Sequence, residues 1–180
     1  MRALTFEYVS ARLSYDPATG IFTWKPLAAS NRIQRTWNSR WAGKAAGGTR
    51  GNGYHYICLD RVGYLAHRLA WVLHFGADPT GQLDHINGNP SDNRICNLRK
   101  ATQSQNCANQ GIRRTNTSGY RGVTWNPRRA KWQAQIQVNK KHRVIGHYDD
   151  VLEASKAYEE AAQAAFGPFY RIVSEAGVAK

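Results

Sequence analysis

The sequence predicts an α+β fold built from two modules, and three observations carry that expectation. Short apolar stretches alternate between the two-residue period of strands and the three-to-four-residue period of helices. At Ser118 the character changes, and three strand-like segments precede one long alanine-striped helix. Between the halves runs a polar, turn-forming stretch, Leu83 to Asn109, which opens on Asp84-His85 and later carries Asn97 and Asn106. A chain of 180 residues has room for one or two domains and a sizeable core.

Taken in order, LTFEYVSARL (residues 4–13) predicts a short helix with Thr5 at its N-cap. SYDPATGIFTW then sets a Pro/Gly turn before a strand over Ile21–Trp24. Lys25 to Arg50 shows few periodic apolar positions. Its Trp37 and Trp41, set among Arg32, Arg35, Arg40 and Lys44, suit either a nucleic-acid-tracking extension or a small tryptophan core. Gly47 to Gly53 reads as a flexible turn region, and Tyr54–Leu59 as a strand. Leu65 to Phe75 carries Leu65, Leu69, Val72 and Leu73 at helical spacing, with His67 and His74 on one face. His67 there reads as a packing or phosphate-contacting residue rather than a metal ligand. Gly76 ends that helix, and Asp78-Pro79-Thr80-Gly81 turns the chain into the next strand.

Beyond the polar stretch, GIRRTNTS is basic and linker-like. Tyr120–Trp125, Lys131–Val138 and Arg143–Tyr148 predict an antiparallel meander. In its second strand Trp132, Ala134, Ile136 and Val138 share one face, and Lys131, Gln133, Gln135 and Gln137 share the other. Asp150 and Glu153 stand at capping-box spacing ahead of a helix with Ala154, Ala157, Tyr158, Ala161, Ala162 and Ala165 on one side. Gly167-Pro168 stop it.

The charge is strongly one-sided: 25 Lys and Arg against 12 acids, net +13. No acid occurs from Asn93 to Tyr148, where twelve basic residues lie, nor from Pro17 to Leu59, where there are six. A surface built only for solubility mixes both signs, so these runs point to a polyanionic partner. Three cysteines without CxxC spacing argue against a disulfide framework and a four-ligand zinc site. Cys96 and Cys107 are expected to pack as small apolar residues. No signal peptide or long apolar span appears, so the chain is expected to be soluble and cytoplasmic.

The stretch LDHINGNPSDNRICNLRKATQSQNCAN resembles the core of the HNH (ββα-metal) nuclease family, in the variant whose last letter is Asn. The resemblance implies two short strands joined by a loop and followed by a helix. It also assigns roles. His85 would activate a water, Asp84 and Asn106 would hold a divalent cation, and Asn97 would fix the loop and orient His85. The residue types suit the task. Imidazole titrates near neutrality and can take a proton. Carboxylate and amide oxygens are hard ligands fit for Mg²⁺, or another divalent cation such as Mn²⁺, which stabilises charge on phosphate and on the departing oxygen. The N-terminal half resembles, as a whole, the region that packs on the core in phage-type HNH endonucleases.

YRGVTW, KWQAQI and the AYEEAAQAAFG helix resemble the plant ethylene-response-factor (Apetala-type) DNA-binding domain, which lays a three-stranded sheet in the major groove. That resemblance implies contacts from Arg121, from Arg143, and from Gln135 and Gln137 on the second strand. Thr124, Asn126 and Arg128 stand near further contact positions, although one extra residue before Lys131 shifts the register. Lys131 and Gln133 share the open face, and Arg113 and Arg114 of the linker would touch phosphates. Ile145-Gly146 replaces a tryptophan of the family's third strand. Glutamine suits adenine.

The fold expected is therefore α+β, a ββα-metal HNH nuclease core plus a C-terminal three-stranded antiparallel sheet packed on one helix. Residues 1–62 would form an N-terminal region packing on the nuclease, 63–111 the core, 112–118 a linker, 119–172 the DNA-binding domain and 173–180 a tail. The function expected is site-specific, metal-dependent cleavage of double-stranded DNA by a phage homing endonuclease acting in a bacterial host. A monomer with one site would nick. The alternative is a DNA-binding regulator with a degenerate core.

Overall fold

The structure, a computed structural model, describes residues 4–172; the expected tail at 173–180 lies outside the described residues. The fold is α+β, as expected, and the chain divides into two compact units, Met1–Lys100 and Ala101–Lys180.

The first unit begins with α1 (Phe6–Ser10), whose N-cap Thr5 accepts from the Tyr8 amide at 3.3 Å. β1 (Leu13–Tyr15) pairs antiparallel with β2 (Phe22–Trp24). Their turn is tied by Asp16, which accepts from the Ala18 amide at 2.9 Å and the Thr19 hydroxyl at 2.7 Å. A helix, α2 (Arg32–Trp41), then stands where no periodicity was evident, capped by Asn31. β3 (Gly48–Thr49), β4 (His55–Leu59) and β5 (Val62–Leu65) form an antiparallel sheet. Asp60 and Arg61, both at positive φ (48° and 68°), make the tight β4–β5 turn, so a short strand precedes the helix.

α3 (Ala66–Phe75) ends at left-handed Gly76, as its sequence predicts. Its Leu69 and Val72 bury against Val9, Leu13, Phe22, Ile57 and Leu59 in one core. Arg68 on α3 donates to Asp78 at 2.7 Å and to the carbonyls of Pro79 and Gly81, each at 3.1 Å. That brace aims the chain into β6 (Gln82–His85), which pairs with β7 (Leu98–Ala101).

The second unit contains α4 (Gln103–Asn109), β8 (Val123–Asn126), β9 (Lys131–Val138), β10 (Lys141–Tyr148) and α5 (Val151–Phe166). The sheet order is β10-β9-β8, all antiparallel, and α5 packs on one face of it. Ala134, Ile136 and Val123 bury against Ala154, Tyr158 and Ala162, so the alternation in β9 and the alanine stripe predict the layer correctly. Gly122 (φ 69°) lets the backbone pass against Tyr158, where an added Cβ would stand 2.1 Å from the ring.

Two expectations need correction. The side chain of Asp150 makes no cap hydrogen bond to α5; the capping box of the unit is at α4 instead, where Thr102 and Gln105 bond reciprocally. Cys96 is exposed and Cys107 half-buried, so neither is the packed apolar residue expected. The first unit ends at Lys100, and Ala108 of α4 buries with the sheet of the second unit.

Candidate functional site

β6 presents Asp84 and His85 on a buried hairpin, at 4 % and 5 % exposure. The loop that follows doubles back through Asn87–Asn93, and Asn97 holds it shut. The Asn97 amide donates to Asn87 Oδ1 at 3.0 Å and to the Asp92 carbonyl at 2.8 Å, and its oxygen accepts from the Asn87 backbone N–H at 3.0 Å. The Ile86 N–H donates to the Asn97 carbonyl at 2.9 Å and the Gly88 N–H to the His85 carbonyl at 2.7 Å. Arg94 pairs with Asp92 at 2.7 Å and holds that carboxyl well below the usual range. Removing the Asn97 side chain strips the loop of three partners at once. Asn97→Ala is expected to cost about 1–3 kcal/mol, the penalty for buried groups left unsatisfied. Denaturant unfolding reads this as a lower midpoint, and a midpoint equal to wild type would show that the loop closes without it.

The N-terminal hairpin supports the far side of that loop. The Tyr15 hydroxyl donates to the Asn93 carbonyl at 2.7 Å, and the Ile95 N–H donates to the Pro17 carbonyl at 3.1 Å. Gly20 (φ 76°) lies so close that an added Cβ would stand 2.7 Å from the Arg94 nitrogen.

His85 sits in an aromatic nest. Its ring meets that of His67 edge-on at 5.0 Å and that of Tyr54 at 6.0 Å, and the Asn93 amide oxygen lies 3.5 Å from Nε2. Burial pushes His85 below its ordinary pKa, against the opposing pull of Asn93, Asp84 and Asp92. Burial, with His85 and Arg68 adding to it, pushes His67 down to about 3. Both rings are therefore neutral at pH 7, and His85 can accept a proton. The sequence placed Asp84, His85 and Asn97 together and read His67 as a packing or phosphate-contacting residue, but gave no role to Tyr54 or Asn93. The signal for His67 was its place in the first turn of α3, directly after the strand that enters the helix.

The Asp84 carboxylate is paired. Its Oδ2 receives Arg99 Nε and Nη2, each at 2.8 Å. A buried carboxylate oxygen of this kind is a donor that a hard divalent cation accepts. Asn106 is half-buried on α4, in the second unit. Among the described residues no group of three or more His, Cys, Asp or Glu gathers as a metal cage.

On the second unit, register with β9 sorts the expected nucleic-acid contacts. Thr124 pairs with Gln133 and Asn126 with Lys131, which puts all four on the face away from α5. An amide chain runs across that face: Asn126 donates to Gln133 at 3.0 Å, Gln133 donates to Gln135 at 3.1 Å, and His147 Nε2 lies 3.2 Å from Gln133. Gln137 and Arg128 are exposed, as are Arg113 and Arg114 after α4. Lys131 pairs with exposed Asp149 at 3.0 Å. Arg143 is set differently. A register shift between Val144 and Gly146 leaves Arg143 opposite Ile136, on the α5 side, while His142 and Val144 take the open face. The Arg121 guanidinium donates to the carbonyls of Cys107, Ala108 and Gln110 at the end of α4. It therefore neutralises the negative end of that helix rather than pointing from the sheet.

Residues 64–108, which include the β6–β7 hairpin, match the family model of the HNH endonucleases. Protein 3.8 of Escherichia phage T7 is 34 % identical over 76 residues, covering 42 % of this chain and 63 % of that protein. Dehydration-responsive element-binding protein 2A of rice (Oryza sativa, subspecies indica and japonica) is 36 % identical over 72 residues, 39 % of this chain and 22 % of that protein. The solved structure of DNA binding and cleavage by the HNH homing endonuclease I-HmuI aligns over 61 % of this chain and 57 % of that one, at 25 % identity and a TM-score of 0.40. The chain thus spans less than two thirds of the relatives it matches. No helix among the described residues is long and apolar enough to cross a membrane.

Proposed function

We propose that the protein is a metal-dependent, site-specific endonuclease of double-stranded DNA, of the phage homing kind, working in the host cytoplasm. The observation that carries this reading is the neutral, buried His85 beside the Asp84 carboxylate, on a hairpin whose loop is closed by Asn97. His85 takes the proton of the attacking water as general base. Asn97 acts through the loop and sets the direction of the His85 ring. Asp84, with Asn106 from the sequence pattern, would hold Mg²⁺ or Mn²⁺, which stabilises charge on the scissile phosphate and the departing oxygen. His67 and Tyr54 exclude water from the far side of the ring, so its basic nitrogen serves only the reacting face.

The β8–β10 sheet is the reader in this proposal. Its open face carries Thr124, Asn126, Lys131, Gln133, Gln135 and Gln137, with Asp149 paired to Lys131 at its edge, and a Gln side chain bonds bidentately to adenine N6 and N7. Arg113, Arg114 and Arg128 contribute phosphate contacts, which position the sheet without reading sequence. Arg121 and Arg143 drop out of the reading surface for the reasons given.

Incubation of the purified protein with long duplex DNA tests both parts. Discrete fragments on a denaturing gel, which reads single-strand and double-strand cuts alike, are expected with Mg²⁺ and none in chelator. With Gln135→Ala and Gln137→Ala, extra cut positions are expected, since each lost bidentate contact relaxes one base pair by about 1–3 kcal/mol. Binding without any cutting in Mg²⁺ or Mn²⁺ would leave a DNA-binding regulator as the better reading.

A further inference from the structure

We propose that the outer face of α2 is a second DNA-docking surface, which grips the phosphate backbone. This rests on the reading of duplex DNA as partner and adds a site to it. α2 is fixed from one side only. Trp37 packs edge-on against Trp24 at 5.6 Å, the Asn38 side chain exchanges hydrogen bonds with the Leu27 backbone at 2.8 and 2.9 Å, and Gln34 accepts from Ser30 at 2.6 Å. No residue of the helix is fully buried.

The opposite face holds Arg32, Arg35, Thr36, Ser39 and Arg40, the i, i+3, i+4, i+7, i+8 series, and all five are exposed. A stripe at this spacing ordinarily marks the apolar face of a helix, yet here it is cationic and points outward. It has no internal counter-charge: the sequence has no acid from Pro17 to Leu59, and no ion pair among the described residues engages Arg32, Arg35 or Arg40. Ile33, 82 % exposed, stands at the edge of the stripe, where a sugar ring would cover it.

Geometry favours a duplex backbone as occupant. From Arg32 to Arg40 the helix rises about 12 Å, and one DNA strand carries a phosphate every ~3.4 Å of axis, so three guanidiniums reach three phosphates. The stripe presents donors and no acceptor carboxylate, which is the chemistry of positioning contacts that carry no sequence information.

The test is a salt titration of affinity for a random-sequence duplex, using the full chain and the triple variant Arg32→Gln, Arg35→Gln, Arg40→Gln. Loss of three phosphate contacts should make the log K against log salt slope shallower by about 2.7. The triple Arg→Lys variant should keep most of the slope, and hydroxyl-radical footprints should lose protected backbone in the Gln variant alone. Equal slopes for wild type and the Gln variant, with wild type still binding and cutting DNA, would overturn this surface and leave the endonuclease reading intact. A slope lost equally in the Lys variant would also overturn it, because charge would not be the cause. Wild type that neither binds nor cuts duplex DNA would remove both readings together.

Discussion

Replacing His85 with Ala is expected to slow single-turnover DNA cleavage by about 10²–10⁴-fold, the usual worth of a general base, with duplex affinity close to wild type. In the proposed role the imidazole acts as the proton moves in the transition state and adds little to ground-state binding. Its burial against His67 and Tyr54 means that Ala also leaves a hole, so His85→Gln serves beside it as the fuller side chain. Both should be equally inactive if proton transfer is the loss. Single-turnover rates at saturating protein, measured with thermal melts of each variant, separate chemistry from packing. Cleavage by either variant at the wild-type rate would strip His85 of the role.

The second large effect concerns Asp84. Its carboxylate faces both the proposed cation and Arg99, which is 17 % exposed at its side chain. Asp84→Ala therefore has two expected consequences. It leaves a guanidinium without its buried partner, which typically costs about 3–5 kcal/mol. It also removes the charged oxygen, so the activity curve in a Mg²⁺ titration shifts to higher metal. Asp84→Asn keeps the volume and an acceptor for Arg99, so most of the fold stability returns while the metal shift remains. Cleavage that persists in EDTA would end the case for Asp84 as a ligand.

Elements that bury one face declare themselves in sequence, as the β9 alternation and the α3 and α5 stripes do. α2 does not, because no residue of it is fully buried: an Asn31 cap, one Trp–Trp edge and the Asn38 side chain on Leu27 help hold it, and none of these leaves an apolar period. Capping boxes show the limit of letters alone. Thr102-x-x-Gln105 closes one and Asp150-x-x-Glu153 does not, since only backbone geometry brings the side chain back to the amide. The same holds for Arg143, which one inserted residue at a bulge moves across the sheet. At the site, fixed intervals in one stretch revealed Asp84, His85 and Asn97. Tyr54 and His67 come from the neighbouring sheet and helix, and only folding brings them to the His85 ring.

The hairpin of β1 and β2 bears on how the matched segment can be shuffled between genes. The family match begins at residue 64, but the loop behind His85 leans on Tyr15, Pro17 and Gly20. A cassette excised at the borders of the match would leave its Asn93–Ile95 backbone facing water, with two hydrogen bonds and a close-packed turn left behind. The smallest portable piece that keeps this support therefore reaches back through Leu13. A crossover between Gly20 and Asn93 joins halves that must already fit each other to the ångström.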